Sequence, residues 1–284
     1  MKISTNKRSV LSAYSESGRI NSSLPVLFFV LVVPLICIVG SWTLPAISAP
    51  MLIKEAVAQV YLGILITVWF WSQRNVVDTT LSFSRVTLLF SGMFILGTLS
   101  IFWATNVDFH ITRWLLWYCA AIVFFFGLKV EQNEKNINTI FNCLVVAGTL
   151  VSLIGLVQYL FSFSAQMLTL HQPASTFGNK NMAGQVIVLL WPFALFFLFS
   201  KKTSTIEAWA YSICIALMLS YVFVIHSVAV LLSCFLEILL ISMVLIFDHS
   251  KRKKWFFWNS QKTFAAIFST LLFFVICNPT TIGI

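Results

Sequence analysis

Polar and apolar positions alternate in this chain on the scale of whole segments. Runs of about 20 mostly apolar residues, the length that crosses a bilayer as helix, are separated by short polar stretches. The runs fall at 24–44, 53–72, 86–104, 111–128, 140–163, 182–199, 206–225, 228–247 and 263–278. Only "IHSV" parts the seventh from the eighth, and the pattern alone leaves open whether they are two spans or one bent element. The expected fold is all-α, a polytopic transmembrane helix bundle of about nine spans.

Composition supports this. The chain of 284 residues is 59% hydrophobic and 10% charged, with a mean hydropathy of +0.93. A soluble globule carries about a quarter charged residues, so the solvent here is lipid. The first 23 residues are polar and hold Lys2, Lys7, Arg8 and Arg19. No small-residue cleavage site follows, so 24–44 is expected to be an uncleaved first span. Residues 1–23 then form a cytoplasmic segment and 24–284 one transmembrane domain.

Charge sets the orientation. With the N-terminus in the cytoplasm, the inner segments hold 15 of the 18 basic residues and the outer ones only Lys54, Arg113 and Lys180, as the positive-inside rule requires. A single span over 206–247 would place Lys251, Arg252, Lys253 and Lys254 outside, so charge favours a break at His226. Trp42, Trp69, Trp71, Trp103, Trp114, Trp117 and Trp255 fall near span ends, where indoles favour the interface. The run "KRKKWFFW" (251–258) beside a span reads as an anchor to anionic headgroups, not a nucleic-acid surface. The expected location is a cytoplasmic membrane, crossed many times. The cysteines, Cys37, Cys119, Cys143, Cys214, Cys234 and Cys277, all lie in apolar runs and read as small buried hydrophobes.

Several polar residues interrupt this pattern. The outward stretch "HQPASTFGNKNMAGQ" (171–185) holds Pro173, which limits helix before it, and Gly178, which permits a positive φ. Asn179 or Asn181 can cap the next helix. Free N–H groups at that helix start, with Lys180 beside them, suit an anion; an ordinary turn with an interfacial lysine is the plainer reading. A second outward stretch, "WATNVDFHITRW" (103–114), brings Asp108, His110 and Arg113 close together in sequence. Arg113 suits a phosphate through its planar fork and His110 can shuttle protons, or the stretch is a solvated loop in which Arg113 pairs with Asp108.

Glu237 lies in the middle of "AVLLSCFLEILLISMVLIF". A carboxylate there costs about 2.5 kcal/mol or more to insert, so it serves either a proton path or an interhelical hydrogen bond. Gly148, Ser152 and Gly155 share one face of the fifth span and read as a small-residue packing stripe. Gln158 and Tyr159 follow, as ligand contacts or interfacial residues. The chain carries no P-loop, HExxH, GxSxG or Rossmann fingerprint, and its outer loops hold no DxD-like pair for a metal.

Two stretches are similar to a known family. "SIFWATNVDFHITRWLLWY" and, more specifically, "STFGNKNMAGQVIVLLWPFAL" resemble the O-antigen ligase and polymerase superfamily. The family's motif is of the type G-T-F-G-N-x-N-x-x-A, opening a span with a proline about ten residues on. Phe177, Gly178, Asn179, Asn181, Ala183 and Pro192 fit, and Ser175-Thr176 stands where Gly-Thr is common. The resemblance covers roughly residues 85 to 250. Where many members carry T-x-S-R-[GA], this chain has "IHSVA", with Val228 in the arginine's place. Members continue into a large outer loop with an essential His, so the chain is expected to match the N-terminal part of such an enzyme.

The resemblance implies transfer of a glycan from an undecaprenyl-pyrophosphate carrier at the outer face of the bacterial inner membrane. The acceptor would be the lipid A core, another glycan or a protein, and neither metal nor cofactor takes part. The expected carrier-pyrophosphate site is Arg113, Lys180, Gly178, Asn179 and Asn181. His110, His171 and His226 lie outward as secondary candidates, and the catalytic base is unassigned. Two rivals are a transporter built around Glu237 and an inactive fragment or non-catalytic membrane scaffold.

Overall fold

A computed structural model describes residues 50–73, 85–129, 134–161, 173–200, 202–247 and 260–277, with positions 26, 30, 33 and 35. Most of the 1–23 segment and first span, His171, the 251–258 cluster and the Asp108 side chain lie outside the described residues.

The described chain is helical, with no strand among the described residues. The helices are α1 (Pro50–Gln73), α2 (Arg85–Leu99), α3 (Val107–Lys129), α4 (Glu134–Phe161), α5 (Lys180–Phe199), α6 (Thr205–Val224), α7 (Val228–Phe247) and α8 (Ser260–Cys277). A 3-10 turn, Ser100–Trp103, extends α2. In a bilayer no water is available for backbone N–H and C=O groups, so apolar runs satisfy them as helix. Among the described residues four helices, α4, α5, α6 and α8, are long and apolar enough to cross a membrane. The break expected at His226 is present: α6 ends at Val224 and α7 begins at Val228.

The chain divides into two compact units, Met1–Val32 with Glu55–Ile137, and Val33–Lys54 with Asn138–Ile284. In the first, α2 and α3 pair through aromatic rings. Phe90 stacks on Phe124 at 4.1 Å, and Phe94 meets Trp114 and Tyr118 at 6.1 and 6.4 Å. The Trp114 indole donates to Thr98 Oγ1 at 2.9 Å. Phe102 and Trp103, at the end of this hairpin, are exposed.

The second unit holds the main core, built from α4, α5 and α6 with Val230 and Cys234 of α7. The small residues on α4 let large side chains of α6 come close. A Cβ at Gly148 would sit 2.9 Å from Met218 Cε, and one at Gly155 would overlap the Tyr221 ring. Gly184 of α5 does the same for Val230 of α7, at 2.6 Å. The packing stripe expected on α4 is therefore real, and Ser152 between the glycines is fully buried.

The cytoplasmic-side end expected for this unit is closed by polar contacts. Ser204 and Glu207 form a capping box at the start of α6, which satisfies otherwise orphaned N–H groups. Buried Lys262 of α8 donates to Ser200 O at 2.6 Å, placing a cation where the α5 dipole is negative. Tyr211 donates to Asn142 Oδ1 at 2.7 Å. The five described cysteines, Cys119, Cys143, Cys214, Cys234 and Cys277, are free thiols.

Candidate functional site

At the opposite end of the second unit, residues Pro173–Gly178 lead into α5. The sequence reading exposes this stretch as an outer turn; the structure buries it. Ala174, Ser175, Thr176 and Phe177 are 0, 1, 2 and 7% exposed. A buried loop has no ladder of its own, so its polar groups need partners from elsewhere.

Three helices supply them. From α4, the Gln158 amide pairs with both backbone groups of Ser175, accepting from its N–H at 2.7 Å and donating to its carbonyl at 3.0 Å. Ser175 Oγ donates to Val151 O, also on α4, at 2.7 Å. From α6, Tyr221 OH donates to Pro173 O at 3.0 Å. From near the start of α1, Lys54 Nζ donates to Thr176 Oγ1 at 3.0 Å and lies 4.2 Å from the centroid of the Phe177 ring. Within the loop, Phe177 N–H donates to Ala174 O at 3.1 Å.

Backbone geometry agrees with this clamping. Gly178 has φ 70°, the positive value expected of it. Ser175 also has φ 52°, which a residue with a Cβ rarely adopts. Such a conformation costs about 1–3 kcal/mol and persists only where its surroundings fix it; the pair of hydrogen bonds to the Gln158 amide does so here.

The residues after Gly178 behave as the sequence leads one to expect. Asn179, with φ −136°, is the N-cap of α5, and its side chain accepts from Asn181 N–H at 2.9 Å. Lys180 is the first helical residue and is half-buried, as is Asn179, while Asn181 is exposed. Gly178, Asn179, Lys180 and Asn181 are therefore gathered at one helix start, on a buried and hydrogen-bonded base.

The next turn, between α6 and α7, carries His226, exposed and with φ 52°. Its N–H donates to Phe223 O at 3.1 Å, and its ring lies 5.9 Å from that of Phe223. The Gly184–Val230 contact brings the first turns of α5 and α7 side by side.

Arg113 belongs to the first unit, on α3, and is exposed. One turn earlier His110 has Nε2 3.3 Å from Ser100 Oγ, which itself donates to Gly97 O. Glu237 is used within the bundle: its Oε2 accepts from the Trp191 indole of α5 at 2.6 Å, the interhelical bond that was one of its two readings. Among the described residues no three His, Cys, Asp or Glu side chains gather in a way that would hold a metal ion.

Lys54 and Gln158 are the residues the sequence reading undervalued. A signal for Gln158 is its position, continuing the stripe of Gly148, Ser152 and Gly155 by one further three-residue step. For Lys54 the signal is a cation placed beside an apolar run. No protein-family profile matches the chain, and no curated protein or solved structure is measurably similar to it. The resemblance to O-antigen ligases stands on the motif residues alone.

Proposed function

We propose that this chain is a multi-pass protein of the bacterial inner membrane that binds an undecaprenyl-pyrophosphate-linked glycan at its outer face, in the service of O-antigen ligase-like glycan transfer. The nine-span topology with a cytoplasmic N-terminus is part of the proposal, as is a glycan, lipid A core or protein acceptor.

The observation that carries it is the buried, hydrogen-bonded loop ahead of α5. Transfer from a lipid diphosphate develops negative charge on the leaving group, and fixed positive groups stabilise it without reorganising. The Gly178–Asn181 turn offers Lys180 at the positive end of the α5 dipole, where the Asn181 N–H is already taken by the Asn179 cap, and it is seated on a loop held by Lys54, Gln158 and Tyr221. Ser175 adds independent support. Its φ of 52° is the conformation glycine adopts freely, and glycine is what the resembled motif carries at that position. Arg113, the other cation expected from the sequence, is carried by the other unit. The catalytic base stays unassigned, with His110 and His226 as the described outward histidines.

The test uses the full chain in lipid nanodiscs, with undecaprenyl diphosphate as probe and the monophosphate as comparison. Lys180→Ala is expected to weaken diphosphate binding about tenfold, the loss of one charge-assisted contact. Wild-type protein that binds neither lipid, or a Lys180→Ala variant that binds as wild type does, overturns the reading. In cells, deletion of the gene is expected to accumulate carrier-linked oligosaccharide.

A further inference from the structure

We propose that Lys54 is a positioning residue for this site: its ammonium, acting through Thr176 and Phe177, sets where the start of α5 and Lys180 stand. The identity of the ligand rests on the reading above; the positioning does not.

Lys54 is 4% exposed. A buried ammonium is costly unless the protein replaces its water. Two groups that do so both belong to the loop, the Thr176 hydroxyl at 3.0 Å and the face of the Phe177 ring at 4.2 Å. A hydroxyl lone pair and an aromatic quadrupole both respond to positive charge. A neutral side chain of equal length would fill the space and lose both attractions.

What the ammonium holds is the last stretch of loop before the helix. Phe177 is followed by Gly178, whose φ of 70° makes the bend, and by Asn179, whose side chain caps α5. Lys180 comes next. Few torsions separate the ring that Lys54 grips from the cation proposed to meet the phosphate. Gln158 and Tyr221 fix the front of the loop, at Ser175 and Pro173. Lys54 fixes its rear, so the two ends of the segment have separate anchors.

This separates charge from bulk. In Lys54→Met the stem stays and the ammonium goes. In Lys54→Arg a cation is kept that can donate to a hydroxyl and lie over a ring. A role as mere filler predicts that Met suffices and that Arg crowds the site.

The experiment compares wild type, Lys54→Met, Lys54→Arg and Thr176→Val, each as full chain in nanodiscs. One readout is amide hydrogen exchange over 174–181, taken without ligand; the other is binding of undecaprenyl diphosphate. Lys54→Met is expected to lower protection of 177–181 about tenfold and to weaken binding by a similar factor, with α4 and α6 unchanged. Lys54→Arg is expected to keep both within about threefold of wild type. Thr176→Val leaves Lys54 itself intact and is expected to lose part of the same protection. Wild-type protection in both Lys54→Met and Thr176→Val overturns the proposal, as does a Lys54→Arg variant no better than Lys54→Met. If wild type binds no lipid diphosphate while Lys54→Met still exposes the loop, the functional reading fails and the positioning role stands.

Discussion

Ser175 shows how a single residue can be both strained and well held. Its φ of 52° disfavours a Cβ, while its hydroxyl donates to Val151 O in a buried position. Two substitutions separate these effects. Ser175→Ala keeps the strain and leaves the Val151 carbonyl without this donor, a cost of about 1–2 kcal/mol. Ser175→Gly loses the same bond and relieves the conformation, so the terms offset to within about 1 kcal/mol. Thermal unfolding in detergent is expected to rank wild type and Ser175→Gly together, above Ser175→Ala; an alanine variant as stable as the glycine one would show that the conformation carries no strain. Legibility at this scale follows side-chain chemistry. Gly178 and Asn179 announce their roles, because a glycine permits a positive φ and an asparagine is a ready cap. Serine carries no left-handed signal, and Lys54 reads as an ordinary outer-loop charge, because its partners lie more than a hundred residues away in sequence.

Among the helices, close approach is the governing variable. Gly155 admits the Tyr221 ring, and Tyr221 then reaches Pro173 O, so a packing residue on α4 helps to place the loop. Gly155→Ala would put a methyl against a rigid ring, at a cost of about 1–3 kcal/mol. At Gly92, in α2, a Cβ would meet nothing within 4 Å, and Gly92→Ala is expected to be neutral or stabilising by up to about 1 kcal/mol. Paired melting curves in the same detergent check both, and equal shifts would remove the packing argument. Glu237 belongs to the same scale. Glu237→Gln keeps an oxygen for the Trp191 indole, whereas Glu237→Leu leaves that donor unpaired. The first is expected to melt close to wild type and the second lower by about 1–3 kcal/mol. A Glu237→Gln variant as damaged as Glu237→Leu would point to the charge itself. The stripe and the break at His226 were readable because spacing and charge placement are local or additive properties. That Tyr221 is what fills the Gly155 notch was not, since pairing between helices depends on the rotation of each about its axis.

For the whole molecule, the segment pattern carries the helices well: α1 to α8 coincide with the apolar runs that follow the first. The placement of polar groups between them carries the sidedness, and the structure makes that testable with residues of contrasting burial. α5 runs from Lys180 to Phe199, so its ends face opposite sides if it spans. Asn181 and Lys202 are exposed at those two ends, and Thr176 is 2% exposed close to the first. In a cysteine-free background, a cysteine at 181 is expected to react with an impermeant maleimide added outside intact spheroplasts. One at 202 is expected to react only after permeabilisation, because reversing the orientation would export the basic ends, against the bias that sets topology. A cysteine at 176 is expected to react from neither side until the protein is denatured, because six consecutive buried residues enclose it. Labelling at 181 from the cytosol alone would leave no outer site for a lipid diphosphate. Rapid labelling at 176 in the native protein would remove the fixed base on which Lys180 is proposed to stand, whichever way the chain is oriented.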